Sequence, residues 1–592
     1  MNQVKVHLPK NKRQGMKKFI IIILLISTSA TLFAQKPKKK SSKGKAQTHT
    51  QAKKTPSKTS QKPAAQPDVK EDNSPKNVVV TSSFKPVLKT VSKINFTAAS
   101  PTPDTSKKVA PYDIPAQNLF FAYQPTPLKP LAAHIDSTII WENKNYIKAG
   151  YGNYTTPYLE AGVSFGDGTN SVVNVHAKHI SSKGSLPFQQ ASKTSADVTG
   201  IFSSANNQNE WTGKLFFDNN TQYQYGFQPD SLKFQKDDLR QRFTLFGAKI
   251  GLRNKAENAY GVSYNPNIYA DFFQDNHGAN EQNFVLNAPI EKSIGKIVSL
   301  KLGFTADYTA YKRDTAAKIN NNLFLLTPAV HFKTPGVNLV AGFNPTWDNT
   351  IFHWLPNFTA DIKIKGEKFI LQGGWIGYFN KTNYRTLAET NPWLAQPTFL
   401  NNVRINEQYA GFKGSAGSHF TYNARVSALK FNNQPLFVND SITGKAFEVV
   451  NESEMKALRV HGEIGYTVEE KFSLLGGVTM TQYSNLKDNE KAWGLLPLEL
   501  NGALRWHITK DLQLKSDVYF WDGSRYRNSQ MGAGKLDPAF DLNAGVEFAV
   551  IPKLNVWLQF NNIFNNKYER WHQYEVLGFN VLAGVVYSFG QK

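Results

Sequence analysis

The sequence contains no cysteine among its 592 residues. Disulfide frameworks, thiolate metal sites and cysteine nucleophiles are therefore excluded. Long apolar runs are missing as well. The longest, Phe19–Ile26, falls far short of the roughly 20 residues that a membrane-spanning helix needs, and the mean hydropathy is −0.43. No sustained stretch has a helical period of 3.6 residues. Together these absences exclude a helical membrane protein.

Catalytic signatures are also missing. No HExxH, phosphate-loop or nucleophile-elbow motif occurs, and nothing in the placement of Ser, His and Asp selects a catalytic set. His176 and His179 lie three residues apart, which on a strand places them on opposite faces. They cannot chelate one metal ion. We therefore predict no catalytic, cofactor-binding or metal site, and a protein that is not an enzyme.

The net charge of +24 is unevenly distributed. Residues 1–137 hold 24 Lys and Arg against 6 Asp and Glu, so this part carries +18 and the remaining 455 residues carry +6. The basic character thus belongs to the amino-terminal part rather than to the body of the chain. Binding to nucleic acid, the usual interpretation of such a charge, is not predicted.

The amino terminus has the pattern of a secretory signal. Met16 and two lysines precede the short apolar run, and small residues follow up to Ala34. This pattern predicts a signal peptide over residues 1–34, with translation starting at Met16 and cleavage after Ala34. A buried helix is the alternative. Because export is predicted without a spanning helix, the pattern indicates the outer membrane.

The next two segments differ in composition. Residues 35–76 are rich in Lys, Pro, Ser, Thr and Gln, which predicts a disordered basic tail in the periplasm. The tail is either a solvated tether or a contact to anionic envelope polymers or lipid. Residues 77–137 are broken by prolines but contain the apolar stretch Phe120–Tyr123. We predict that they form an extended segment docked on or in a barrel.

A two-residue period dominates the rest of the chain. From Phe540, apolar residues alternate with polar ones to Val550, and the pattern restarts at Leu554 and again at Phe579. Such alternation sends successive side chains to opposite faces of a strand. Ten-residue segments of this kind predict an all-β fold, a transmembrane antiparallel β-barrel over residues 138–592. A soluble sandwich is the alternative. About twenty segments can be marked, and an even strand number of 16–22 is expected.

Two groups of residues are candidates for specific roles. Tyr587 and Phe589 close the last strand, which barrel-assembly machinery would engage by strand pairing. Charged residues at alternating positions are predicted to line the lumen, and their mixed signs favour a salt-bridged wall over a selective ring. These residues are Lys301, Asp307, Arg459, Glu463, Lys515, Asp517 and Glu547.

The carboxyl end resembles the closing hairpin of TonB-dependent receptors. The resemblance covers Leu554–Tyr568 (LNVWLQFNNIFNNKY) and Gly578–Phe589 (GFNVLAGVVYSF). Val78–Thr81 is faintly similar to the opening strand of that family's plug, but too few residues follow for a full plug. Tyr151–Tyr158 and His179–Gly184 are similar to a plug-less, receptor-like barrel group of Bacteroidetes. The resemblance implies a 22-strand outer-membrane barrel lacking a complete plug.

Two functions fit this sequence. The first is a receptor-like barrel that binds or transports a solute across the outer membrane. The second is a non-transporting barrel that acts as scaffold or accessory subunit of an envelope assembly. Expected partners are outer-membrane lipid and lipopolysaccharide, the barrel-assembly machinery, envelope proteins and an unidentified solute. No cofactor is expected.

Overall fold

The computed structural model describes residues 145–167, 170–204, 206–228, 231–469, 471–528 and 532–590. The predicted signal peptide, basic tail and docked segment lie outside these residues. The described elements are thirty strands and one helix. They are β1 (Asn145–Gly152), β2 (Thr156–Gly166), β3 (Ser171–Lys183), β4 (Gln190–Ser203), β5 (Asn209–Tyr223), β6 (Arg240–Asn254), β7 (Val262–Tyr264), β8 (Asn267–Asp275), β9 (Asn280–Ile294), β10 (Val298–Lys312), β11 (Ile319–Leu326), β12 (Ala329–Lys333), β13 (Val337–Asp348), β14 (Ile351–Lys363), β15 (Ile370–Asn380), α1 (Tyr384–Thr390), β16 (Val403–Ala416), β17 (Phe420–Asn432), β18 (Gln434–Asn439), β19 (Phe447–Glu452), β20 (Met455–Val468), β21 (Phe472–Ser484), β22 (Leu498–His507), β23 (Leu512–Trp521), β24 (Arg525–Asn528), β25 (Gly532–Lys535), β26 (Ala539–Ile551), β27 (Leu554–Asn561), β28 (Glu569–Trp571), β29 (Tyr574–Glu575) and β30 (Asn580–Phe589).

One antiparallel sheet of 24 strand segments closes on itself, because β30 pairs with both β27 and β1. Two strands of the wall are interrupted, so that each consists of two segments. β7 and β8 both pair with β9, and β11 and β12 both pair with β10. The barrel wall therefore has 22 strands. Three further two-stranded hairpins, β18–β19, β24–β25 and β28–β29, lie in the connections.

The fold prediction needs correction in its details. The wall has 22 strands, an even number within the expected 16–22 but above the roughly twenty that alternation marked. One reason is visible in β15, where Gly373, Gly374 and Gly377 replace side chains and weaken the two-residue pattern. The chain is also not wholly β, because α1 forms in one connection. The predicted disordered tail falls outside the described residues.

The two faces of the wall have opposite character. On β10, Leu300 and Leu302 are 45% and 49% exposed, whereas Asp307 and Thr309 are 6% and 1% exposed. Apolar side chains on the outer face and polar ones on the inner face are the reverse of a soluble protein and the pattern of a barrel in lipid. None of the helices among the described residues has the length and apolar character needed to cross a membrane as a helix.

The closing seam depends on two glycines. Gly150 of β1 lies opposite Gly584 of β30, and the indole of Trp557 fills the space beside them. A Cβ atom on Gly150 would meet the Trp557 ring at 2.3 Å, and one on Gly584 would meet the Ala149 carbonyl oxygen at 2.0 Å. No side chain fits at either position, so the seam requires glycine.

The two ends of the barrel differ. We call the end where β1 begins and β30 finishes the turn end, and the opposite end the loop end. The longest connections lie at the loop end and contain α1 and the three hairpins. These connections are 224–239, 381–402, 433–454, 485–497, 522–538 and 562–579.

Candidate functional site

The seven charged side chains predicted for the lumen lie on the polar face of the wall, but they do not converge on one site. They are Lys301 and Asp307 on β10, Arg459 and Glu463 on β20, Lys515 and Asp517 on β23, and Glu547 on β26. The members on β23 and β26 are close together, since these two strands pair. The others occupy separate parts of the wall.

Most of these charges have a partner on the wall. Lys301 Nζ lies 3.7 Å from Glu291, and Asp517 lies 2.8 Å from Arg505. Glu463 lies 3.0 Å from His461 on the same strand. These three residues therefore form pairs of opposite sign with other side chains of the wall. A stiffening role for them stays a prediction.

Two further members make hydrogen bonds. Arg459 donates to the Thr481 hydroxyl at 3.3 Å, and Glu547 accepts from Asn555 at 2.7 Å. Both side chains are thus held by neighbouring strands of the wall. Lys515 is buried, at 7% exposure.

The histidine pair is not brought together. His176 lies between Glu160 at 3.3 Å and Asp197 at 3.6 Å on the inner face. His179 contacts the Thr194 hydroxyl at 2.8 Å. Within the described part of the chain, no group of three or more His, Asp or Glu side chains could hold a metal ion.

The terminal aromatics sit on the outer wall of the seam. Tyr587 is 51% exposed and its ring stacks 6.2 Å from that of Phe589. Phe589 is in register with Asn145, the first residue of β1. The strand that carries both aromatics is therefore the one that closes the barrel, and their role in assembly stays a prediction.

The connection between β15 and β16 folds into the mouth of the barrel. We call residues 381–402 the inner loop. Lys381 Nζ lies 2.9 Å from Asp307 on β10, and Arg385 lies 3.3 Å from Asp271 on β8. Asp307 comes five residues before the end of its strand, so this contact lies below the rim. The inner loop thus reaches into the lumen.

The wall also holds the amino terminus of α1. Glu281 of β9 accepts hydrogen bonds from the backbone N–H groups of Tyr384 and Arg385, at 2.5 and 3.2 Å. Asn383 caps the helix by accepting from the Thr386 N–H at 2.8 Å. A helix of seven residues is marginal by itself. Contacts with the wall therefore stabilise it.

A second set of contacts fixes the two ends of the inner loop. The Tyr384 hydroxyl donates to Asp275 at 2.7 Å, and Gln396 donates to the same carboxylate at 2.9 Å. On the other side of β6, Gln222 of β5 donates to the Pro392 carbonyl at 2.6 Å. The inner loop is consequently attached to the walls on both sides of β6.

Beyond the inner loop, aromatic side chains from four loop-end connections pack into one core. We call Tyr225, Trp393, Phe437, Phe447, Trp571 and Tyr574 the aromatic cap. Trp393 stacks on Tyr574 at 3.9 Å, and Tyr225 contacts Tyr574 at 4.9 Å. Phe437 and Phe447 lie 5.1 and 5.4 Å from Trp571. Trp393 and Tyr574 are each 1% exposed. These loops thus form a packed layer with its own core.

Backbone hydrogen bonds join the same loops. Ala395 donates to the Phe447 carbonyl at 2.8 Å, and Phe447 donates back to the Trp393 carbonyl at 3.0 Å. Gln228 donates to the Thr443 carbonyl at 2.8 Å. The layer is therefore cross-linked through main chain as well as through rings, and it cannot open by movement of a single side chain.

Burial raises the pKa of the Tyr384 and Tyr574 hydroxyls well above the ordinary value. Both phenols therefore stay protonated at neutral pH and act as donors. Tyr574 donates to the Lys445 carbonyl, which ties the aromatic cap to the connection after β18. Hydrogen bonds from these phenols thus join the loops to one another and to the wall.

The sequence pattern did not predict the inner loop. Its contacts with the wall join residues 60 to 170 positions apart, from Lys381 with Asn321 to Pro392 with Gln222. A local signal did exist, because Asn383 followed by Thr386 is a helix-capping pattern. That pattern could have indicated a short helix, but not the wall against which it docks.

No protein-family model matches this chain, and no curated protein matches it. Solved structures do. The FrpB iron transporter from Neisseria meningitidis (F3-3 variant) superposes with a TM-score of 0.58 at 12% identity, over 76% of this chain and 81% of that one. A pyoverdine outer membrane receptor, FpvA from Pseudomonas aeruginosa PAO1, gives 0.57 at 11% identity, over 76% and 79%.

A variant of the ferric enterobactin receptor PfeA from Pseudomonas aeruginosa, in complex with enterobactin, gives a TM-score of 0.58 at 11% identity. It covers 76% of this chain and 81% of the receptor. At this level of identity the likeness establishes the fold alone. The chain therefore has the fold of outer-membrane transporters and receptors.

Proposed function

We propose that this protein is a receptor-like barrel of the outer membrane that binds a polar solute or passes it across that membrane. The inner loop is the element that must move for passage. The barrel architecture of transporters and receptors supports this proposal, as does an inner wall with charges of both signs. Such a wall suits a polar solute, because polar groups replace its hydration shell.

The observation that carries the proposal is the attachment of the inner loop. Its contacts to the wall include ion pairs and hydrogen bonds, such as those of Lys381, Arg385 and Glu281. The ring of Tyr384 also packs against Phe243 and Phe273 of the wall, at 6.0 and 5.3 Å. The polar contacts can be exchanged for contacts with water or solute. The inner loop is thus suited to leave the wall and return to it.

The second candidate function is a non-transporting scaffold or accessory subunit. The aromatic cap favours it, because buried rings from four connections resist opening. On the inner wall, Trp557, Leu582 and Val586 are already buried by packing with Tyr158 and Ile180. We propose that residues 77–137 dock on or in the barrel.

The remaining assignments follow from the sequence. Residues 1–34 would be removed as a signal peptide, and 35–76 would remain in the periplasm as a tether. The turn end would then face the periplasm and the loop end the exterior. Lipid, lipopolysaccharide, the barrel-assembly machinery and envelope proteins are the proposed partners. Origin in Bacteroidetes and the lack of a complete plug rest on the resemblance alone.

The absence of cysteine permits a direct test. One cysteine is placed at Asn383 on the inner loop and one at Asn283 on the wall, whose amide groups lie 3.2 Å apart. Potassium chloride conductance in planar bilayers is measured before and after closure with a short thiol cross-linker. We expect the linked barrel to conduct less than the unlinked one, and each single-cysteine variant to be unaffected by the reagent.

The scaffold function predicts a different outcome. The barrel would then conduct nothing in either state, and envelope proteins would co-purify with it in fixed ratio under mild detergent. Protease treatment of the isolated protein adds a further distinction. If residues 111–135 persist with the barrel while 35–76 are lost, the docked segment is supported. Loss of everything up to 135 with no change in conductance contradicts it.

A further inference from the structure

A cluster of basic residues lies on the outer wall at the loop end, where β16, β17 and β20 meet. We call Arg404, Lys430, Lys456 and Lys487 the outer rim patch. Asn406, Lys430, Lys456 and Ser484 form one row across four paired strands. Arg404 lies two residues nearer the rim than Asn406 and is in register with Asn432. Lys487 comes from the connection after β21.

The position of the patch relative to lipid follows from the rows beneath it. Four residues further from the rim along each strand, the same face carries Val426, Val460 and Met480, which are 48%, 40% and 48% exposed. These side chains belong to the apolar belt that meets hydrocarbon. Four residues of strand span about 13 Å. The basic row therefore lies at the level of lipid headgroups.

The row across the paired strands carries two positive charges and no negative one. Lys430 and Lys456 are directly opposite each other on paired strands, an arrangement that is unfavourable for like charges. Glu454 accepts from Lys430 at 2.8 Å and from Lys487 at 3.4 Å, and Asp488 also interacts with Lys487. Among the residues that the structure describes, no acidic side chain forms an ion pair with Lys456.

The guanidinium of Arg404 has neutral hydrogen-bond partners. Its Nε and Nη2 donate to the Asn432 side-chain oxygen at 3.3 and 3.0 Å, and its Nη1 lies 2.7 Å from His353. These hydrogen bonds fix the guanidinium, and Asp348 interacts with it electrostatically. Beside it, the Trp375 indole donates to Asn406 at 2.8 Å on the outer face. A tryptophan there is typical of a membrane interface.

We propose that the outer rim patch binds the phosphate groups of a phosphorylated glycolipid headgroup of the lipid A type. A fixed guanidinium matches phosphate geometry, and two facing ammonium groups are stabilised by an anion between them. The aliphatic chains of the same lipid would cover Val426, Val460 and Met480. The proposal rests on the proposed orientation, with the loop end facing the exterior, but not on solute transport, because the patch lies outside the lumen.

The test uses the full chain in detergent, titrated with purified lipid A and followed by native mass spectrometry. The variant replaces Arg404, Lys430 and Lys456 with Gln. A matched control replaces Arg242 and Lys312, two exposed basic residues at the loop ends of β6 and β10. Loss of three interfacial cations should weaken binding on the order of 100-fold. Binding to the control should stay within about twofold of wild type.

Two further titrations test whether the phosphate groups of the lipid are bound. Without its phosphates, lipid A should bind the wild-type barrel only as weakly as intact lipid A binds the triple variant. Phosphatidylglycerol, with one phosphate, should bind more weakly than lipid A. Equal binding of lipid A to wild type and triple variant, or equal loss in the control, would overturn the proposal. Heat-modifiable gel mobility shows that each variant is folded, and bilayer conductance should not change.

Discussion

The pair between Lys381 and Asp307 offers the sharpest test of how the inner loop is held. Both side chains are buried, at 10% and 8% exposure, and their charged atoms lie 2.9 Å apart. Lys381 also donates to the Asp307 and Asn321 carbonyls at 3.1 and 2.6 Å. Lys381→Met leaves a buried carboxylate and two carbonyls without this donor. Removing one member of a buried pair costs about 3–5 kcal/mol.

Since the inner loop is not part of the sheet, most of this cost should fall on its docking. A change of that size shifts the docked-to-undocked ratio on the order of 10² to 10³-fold. Hydrogen exchange of the amides in α1 measures this ratio. We expect protection of the Leu387 and Asn391 amides to fall, while amides of β16 keep theirs. Bilayer conductance should rise in parallel.

A double-mutant cycle with Asp307→Asn separates the pair from its surroundings. The doubly substituted barrel should lose less protection than the two single variants together, by at least about 1 kcal/mol. Lys413→Met is the matched control, because Lys413 pairs with Asp361 at 2.9 Å on the wall and carries no loop. Unchanged exchange in α1, or equal changes in the control, would refute docking by this ion pair.

Three other predictions address the cap, the seam and the response to acid. Trp393→Ala removes the most central ring of the aromatic cap and should cost about 3–5 kcal/mol; proteases should then cut the loop-end connections faster, whereas Trp354→Ala, at a site 67% exposed, should change nothing. Phe589→Asp should lower the amount of barrel in the outer membrane, measured by quantitative blotting of membrane fractions, and Phe564→Asp, at a loop site 57% exposed, should not. Burial acts to raise the pKa of Asp440, but backbone N–H groups of Thr443, Ala446 and Ile442 outweigh it and hold that pKa below the ordinary value. The ionised carboxylate therefore stabilises the turn at pH values above the unfolded pKa, which is near 4. This stabilisation is lost as the pH falls through the folded pKa. Hydrogen exchange in residues 440–446 should therefore rise in acid for the wild type, whereas Asp440→Asn should show no such pH step.

The sequence by itself determined the repeating part of the molecule. Alternation over a two-residue period is a local property, so it located β26, β27 and β30 to within a few residues. It also separated the charged inner face from the apolar outer face, since each side chain's direction follows from its position in the strand. The predicted lumen roles of Lys301, Arg459 and Lys515 rest on this reasoning.

Only the tertiary structure decided how the loop end of the barrel is arranged. The inner loop, the aromatic cap and the outer rim patch join residues from strands and loops that are distant in the chain. Trp393 and Tyr574, for example, are 181 positions apart yet stack at 3.9 Å. Loops have no period from which direction could be read, and the strand number depends on closure of the whole sheet. The register of 22 paired strands brings these residues together.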